Sequence, residues 1–140
     1  MKKKIFFVIV IIIVVGLVIG IICKNRFDEQ ENKEQEIKEN RYQEIKNDVK
    51  DAIVWNLGAS YPKCTISSEV KGNEFSHYNS SHLVNNGYIE KKDLLDVDGK
   101  SFCDVYVKLY KDDSGDKCEV SFKIFLNCED YKEKGYVNWG

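Results

Sequence analysis

The chain is poor in the residues that carry most catalytic and metal chemistry. Its 140 residues hold two histidines, two arginines (Arg26 and Arg41), one methionine and one proline. His77 and His82 are five positions apart, on different helix faces, and Ser80-Ser81 between them reads as the start of a new helix. They form neither a shared metal site nor a catalytic pair by spacing. The adjacent Ser76 and His77 carry no nucleophile–base signal, because catalytic triads are spatial. No phosphate loop, conventional nucleophile, metal cluster or paired-carboxylate constellation stands out, so no catalytic residue is assigned, no cofactor is implied and an enzyme is the least favoured class. Residues 1–27 contain no Asp or Glu at all.

What is present first is a long apolar run. Ile5–Cys23, "IFFVIVIIIVVGLVIGIIC", is 19 residues without a charge. As a helix it spans about 28 Å, close to the hydrocarbon thickness of a bilayer. A cleaved signal peptide needs a shorter run and a small-residue cleavage site, and none follows. Cys23 raises lipidation, but bulky Ile22 stands where such signals have a small residue. The expectation is a retained transmembrane helix over 5–23. Lys2, Lys3 and Lys4 precede it in a four-residue tail (1–4) that is expected to stay in the cytoplasm, with the C-terminal domain outside the cell membrane. Residues 28–140 hold 16 Lys and Arg against all 23 Asp and Glu, a net −7. Such an acidic ectodomain is soluble and a poor nucleic-acid binder.

After Phe27 the chain turns polar, its first part reading as a linker too polar to bury anything, and then amphipathic. Ile37, Tyr42, Ile45, Val49, Ala52, Ile53 and Leu57 fall at steps of three and four, which predicts one helical stripe within 24–58, ended by Gly58. Glu44 with Asp48, and Lys46 with Lys50, are like-charge pairs four apart, so packing must hold this helix. The expectation is that it lies on its own sheet; the alternative is a coiled-coil stalk, for which the stripe is short and wide. Tyr61-Pro62 breaks the helix. Cys64-Thr65-Ile66 reads as a short strand or extended loop, and 67–79 as irregular. "SSHLVNNGYI" predicts a short helix capped by Ser80 or Ser81 and ended by Gly87. "KKDLLDVDGKS" reads as a loop with a turn at Asp98-Gly99.

The domain from 59 to 140 closes with a hairpin, "CDVYVKLYKDDSGDKCEVSFKIFLNC". Cys103, Val105, Val107 and Leu109 share one face, as do Cys118, Val120, Phe122, Ile124, Leu126 and Cys128. A turn centred near Asp113-Ser114 sets Leu109 opposite Cys118 or Val120, and Cys103 opposite Ile124 or Leu126. Cys103 and Cys118 are then about 20 Å apart, beyond the roughly 7 Å that a disulfide allows between Cα atoms. Cys103 and Cys128 lie at the same open end, about one or two residue pairs out of register, so that a bulge or a bend after Leu126 brings them together, and Cys118, near the turn, is left for Cys64. The expected bonds are Cys103–Cys128 and Cys64–Cys118, with Cys23 unpaired. A zinc site wants closer spacings, and buried free thiols would fit a cytosolic domain. An even count beside an anchor, in a small domain, favours disulfides in an oxidising compartment.

Asp93, Asp96 and Asp98, with Gly99, are candidate Ca²⁺ ligands in "DLLDVDGK", without the regular acids or terminal Glu of an EF-hand. Phe102, Tyr106 and Tyr110, with Phe125 on the second strand, form an aromatic row that is either a binding surface or is covered by the helix or by the Tyr131–Trp139 tail.

The layout resembles type IV pilin-like proteins, including pseudopilins of Gram-positive bacteria. The resemblance lies in "LVNNGYIEKKDLLDVDGKSFCDVYVKLY" and "FKIFLNCEDYKEKGY": Gly87-Tyr88-Ile89, Asp98-Gly99 before Cys103, and Cys128 with Tyr131 and Gly135-Tyr136. It covers about residues 40–137. It implies an α+β fold, an apolar N-terminal helix running into an amphipathic helix packed on a small antiparallel sheet. It also implies a non-enzymatic role at the cell surface through protein partners. The family's cleavage signature and its Glu near the start of the mature helix have no counterpart here, so processing and filament assembly are not carried over. The alternative is an anchored module that binds a ligand or wall polymer.

Overall fold

The computed structural model describes residues 2–115 and 117–137, and side chains from Phe7 onward. The chain divides into two units, one up to Glu39 and one from Asn40. Helix α1 (Lys2–Ser60) contributes to both.

In the first unit α1 is long and apolar enough to cross a membrane. Every large apolar side chain from Phe7 to Ile22 is exposed. The polar segment that follows is also helical, where a linker was expected from its lack of apolar residues. Glu, Gln and Lys are good helix formers, so propensity suffices without burial. Lys33 and Glu29 pair at 3.1 Å one turn apart, an exposed contact worth a few tenths of a kcal/mol.

In the second unit a four-stranded sheet runs β1 (Thr65–Ser67), β4 (Glu119–Asn127), β3 (Asp104–Asp112), β2 (Asn73–Asn79) across its width. A short helix α2 (Ser80–Asn85) and a 3₁₀ turn (Lys91–Leu94) link β2 to β3. The sheet is mixed rather than antiparallel: β1 pairs parallel to β4 over three residues. The stretch read as irregular contains β2, antiparallel to β3. Its pattern is hidden by polar residues and by a register shift between Glu74 and Ser76, which breaks the period of two. Gly72 leads into it at φ 79°, and a Cβ there would meet the Lys111 carbonyl oxygen at 2.1 Å, so only glycine fits.

The hairpin register is Leu109↔Phe122 and Asp104↔Asn127. The turn therefore lies about two residues later than the sequence suggested. A shift of two leaves every side chain on its expected face. α2 is capped by Asn79, whose side-chain oxygen accepts from the His82 N–H at 2.8 Å, rather than by Ser80 or Ser81. Gly58 does not end α1, which continues to Ser60.

The stripe of α1 covers the aliphatic face of the sheet. Tyr42, Ile45, Val49, Ile53 and Leu57 are buried in one cluster with Val105, Val107, Leu109, Val120, Phe122 and Leu126. Polar contacts fix the helix at its sides. Arg41 donates to the carbonyl oxygens of Leu95 (2.9 Å) and Asp93 (3.2 Å) and to Glu44 (2.7 Å). Tyr42 stacks on Tyr131 at 4.6 Å. Burial, then the nearby Asp93 and Glu44, push the Asp48 carboxyl up from its ordinary range.

Candidate functional site

The second unit brings its four cysteines together in two pairs. Cys64 and Cys118 sulfurs are 2.00 Å apart, and those of Cys103 and Cys128 2.04 Å, both at disulfide distance. The latter two stand one step beyond the Asp104↔Asn127 pair, so the observed register places them opposite without a bulge. Cys23 is exposed and unpaired. Buried Asp96 brings a carboxylate oxygen within 4.8 Å of both Cys103 and Cys128 sulfurs. With the sulfurs at bonding distance from each other neither offers a thiolate, and Asp96 is already engaged. It accepts from the Val97 N–H (2.6 Å) and the Glu129 N–H (3.0 Å).

Asp93, Asp96 and Asp98 do not converge among the described residues. Asp93 accepts from the Glu90 N–H, closing a capping box on the 3₁₀ turn. Asp98 accepts from the Lys100 and Ser101 N–H groups (2.9 and 2.8 Å) and the Ser101 hydroxyl (2.5 Å). These bonds, the Ser101 hydroxyl foremost, lower its pKa to about 2. The sign follows from the native value lying below the unfolded one. The turn's contribution is complete above about pH 4 and is lost as pH falls through about 2. Titrating the Asp98 carboxyl carbon by NMR should give a midpoint near 2, and Ser101→Ala should move it up; a midpoint near 4 in the parent protein contradicts the turn geometry.

The aromatic row is split. Tyr106 is buried, with its ring 5.5 Å from His77 and 6.3 Å from Phe125. Tyr110 is half-buried, and only Phe102 is exposed, under Lys91 Nζ at 4.7 Å. Phe125 is covered by the chain at Gly135, where a Cβ would come within 2.9 Å of its ring. The Tyr136 hydroxyl donates to Asp104. Burial first, then that carboxylate, raise the Tyr136 pKa. Trp139 lies outside the described residues. His77 and His82 face opposite ways: His77 lies beside Tyr106, while His82 stacks on Tyr78 at 4.4 Å.

One concavity of the second unit was not anticipated. It is a groove of about 790 Å³ between α1 and the free side of β4. Its floor includes Phe122, Lys123, Ile124 and Phe125, four successive residues. Successive side chains alternate between sheet faces, so only the strand's edge can present all four. Its lining carries Lys46, Lys50, Lys123, Lys132 and Lys134 against a single acid, Glu133, which is paired with Lys46 at 2.5 Å. Lys46 and Lys50 are one of the like-charge pairs noted in the sequence. Its components come from residues 43 to 134, which no local motif could join. Comparison of the chain with protein-family models, curated proteins and solved structures gives no match.

Proposed function

We propose that this is a single-pass, membrane-anchored protein that displays a disulfide-stapled α+β domain outside the cell and works through contacts with other proteins rather than by catalysis. The observation that carries the reading is the uncharged, exposed N-terminal stretch of α1 in a chain whose remaining cysteines all pair at disulfide distance. An exposed apolar stretch of this length has its low-energy surroundings in lipid. Paired cysteines belong with an oxidising compartment. The tri-lysine tail favours an inside N-terminus.

Within this reading the role is that of a pilin-like surface component. Support comes from α1, which carries both the apolar run and the stripe packed on the sheet, and from the sequence elements around Gly87 to Tyr136.

The test is the intact mass of the protein extracted from its own membrane, alkylated without reduction. The expected result is a full-length chain, four hydrogens lighter, with one alkylated thiol at Cys23. Five alkylated thiols would place the domain in a reducing compartment and remove the reading. A chain cut before Lys24 would replace the anchored protein with a released one.

A further inference from the structure

The groove along β4 is an interrupted strand position. β1 pairs with β4 only at Glu119–Ser121. At the other end Asn127 bridges to Lys132. Among the described residues no strand pairs with the outer edge between those points. The direction of the backbone groups can be read from their neighbours. The Cys118 carbonyl oxygen points outward, accepting from the Thr65 N–H at 2.9 Å. Leu126 points outward too, its carbonyl accepting from the Glu133 N–H at 2.9 Å. Backbone orientation repeats every second residue, so the N–H and C=O of Ile124 and the C=O of Phe122 open into the groove.

The chain already shows what fits there. Glu133 docks on the end of this edge as an extended acidic residue would. Its carboxylate accepts from the Leu126 N–H (2.9 Å) and from Lys46 Nζ (2.5 Å), while its own N–H bonds the Leu126 carbonyl. Lysine on an edge strand can simply guard it against aggregation. Here only Lys123 belongs to the strand; Lys46 and Lys50 come from α1, and Lys132 and Lys134 from the C-terminal turn. They line the groove in a region that is otherwise net acidic; Lys46 is paired with Glu133, while Lys123 and Lys132 lie over the Phe125 and Tyr136 rings, at 5.2 and 5.3 Å.

We propose that this groove binds an extended, acidic peptide segment of a partner protein, which adds as a strand in line with β1. The peptide's backbone pairs with Ile124 and Phe122, and its carboxylates meet the lysines of α1 and the C-terminal turn. The proposal deepens the reading of the chain as an interaction protein and rests on it. A polyanionic wall polymer shares the charge but lacks the alternating N–H and C=O groups, so the strand edge favours peptide.

The test uses the full-length chain in detergent micelles. Fluorescence polarisation measures binding of labelled heptapeptides that alternate glutamate with valine or threonine. Each has two analogues, N-methylated at the amides of one edge or the other. Poly(glycerol phosphate) is the polymer probe. The expected result is binding by at least one peptide, lost about tenfold or more in one N-methyl analogue, with slowed hydrogen exchange at the Ile124 amide. Lys50→Glu with Lys123→Glu, both exposed positions, should weaken binding about tenfold and leave the melting temperature near its parent value. The proposal is overturned by no binding from any peptide, by equal binding of both N-methyl analogues, or by binding of the polymer alone. Failure here in a chain whose mass shows the anchor and two disulfides leaves the anchored-domain reading standing. Peptide binding by a chain with five free thiols does the reverse.

Discussion

Replacing Cys64 and Cys118 together by alanine should lower the stability of the folded domain by about 4 kcal/mol and its melting temperature by about 20 °C. The two are 54 residues apart, and cross-linking a loop of that length removes much of the freedom of the unfolded chain. The Cys103–Cys128 link closes 25 residues and should be worth about 3.5 kcal/mol by the same reasoning. The larger effect also has a native-state cause. Cys103–Cys128 only extends a nine-pair antiparallel ladder between β3 and β4. Cys64–Cys118 fastens β1, which has three paired residues and, among the described residues, no other strand beside it. Thermal unfolding of the full chain in detergent, with and without dithiothreitol, checks this. Reductant should destabilise the parent protein and leave the Cys64→Ala/Cys118→Ala variant responding only through its remaining pair. A variant within about 1 kcal/mol of a reductant-insensitive parent would mean that these are thiols filling space.

The same link matters for the groove. β1 ends at Ser67, and the chain then departs through Ser68 and Val70 along the groove's margin. The Lys71 backbone is held to the Ser121 hydroxyl, which accepts from its N–H at 2.9 Å. The edge of β4 is therefore open because β1 is short, and β1 stays in place at that length because Cys64 anchors its start.

How much of this was legible in the sequence depends on the range of the signal. The helical stripe from Tyr42 to Leu57 and the alternation of Val105, Val107 and Leu109 are periodic, and both faces appear in the structure as the core. The cysteine faces followed from the same alternation. Turn position is weaker information: "KDDSGDK" offers several polar residues that can turn, and the register came out two residues away. β2 was missed because its residues are mostly polar and its pairing is irregular; its identity depends on β3 beside it, not on its own pattern. The groove had no linear signature. The lysine pair at 46 and 50 was visible only as an unfavourable feature of an isolated helix. Its place in the lining emerges once α1, β4 and the C-terminal turn are together.

The second large effect is expected at Ile53, where aspartate should leave the domain unfolded at 25 °C. Ile45, Val49, Ile53 and Leu57 have no exposed surface, and they face the aliphatic side of β3 and β4. An aspartate there either buries an unpaired charge or is protonated with a large pKa shift, on top of losing the isoleucine's burial. Each costs several kcal/mol, against a total stability of about 5–15 kcal/mol for a domain of this size. Ile53→Val, which removes one methylene, should cost about 1 kcal/mol, and Trp55→Ala, at a position 71% exposed, less than about 0.5. The ordering separates two uses of the same stripe. If it held two copies of the chain together as a coiled coil, Ile53→Asp would dissociate the assembly and leave each sheet folded. Near-UV circular dichroism and sedimentation in the same detergent distinguish them. Loss of the aromatic signal means the stripe is this domain's own core. A retained signal with a halved mass would move the helix out of the core and into an interface between chains.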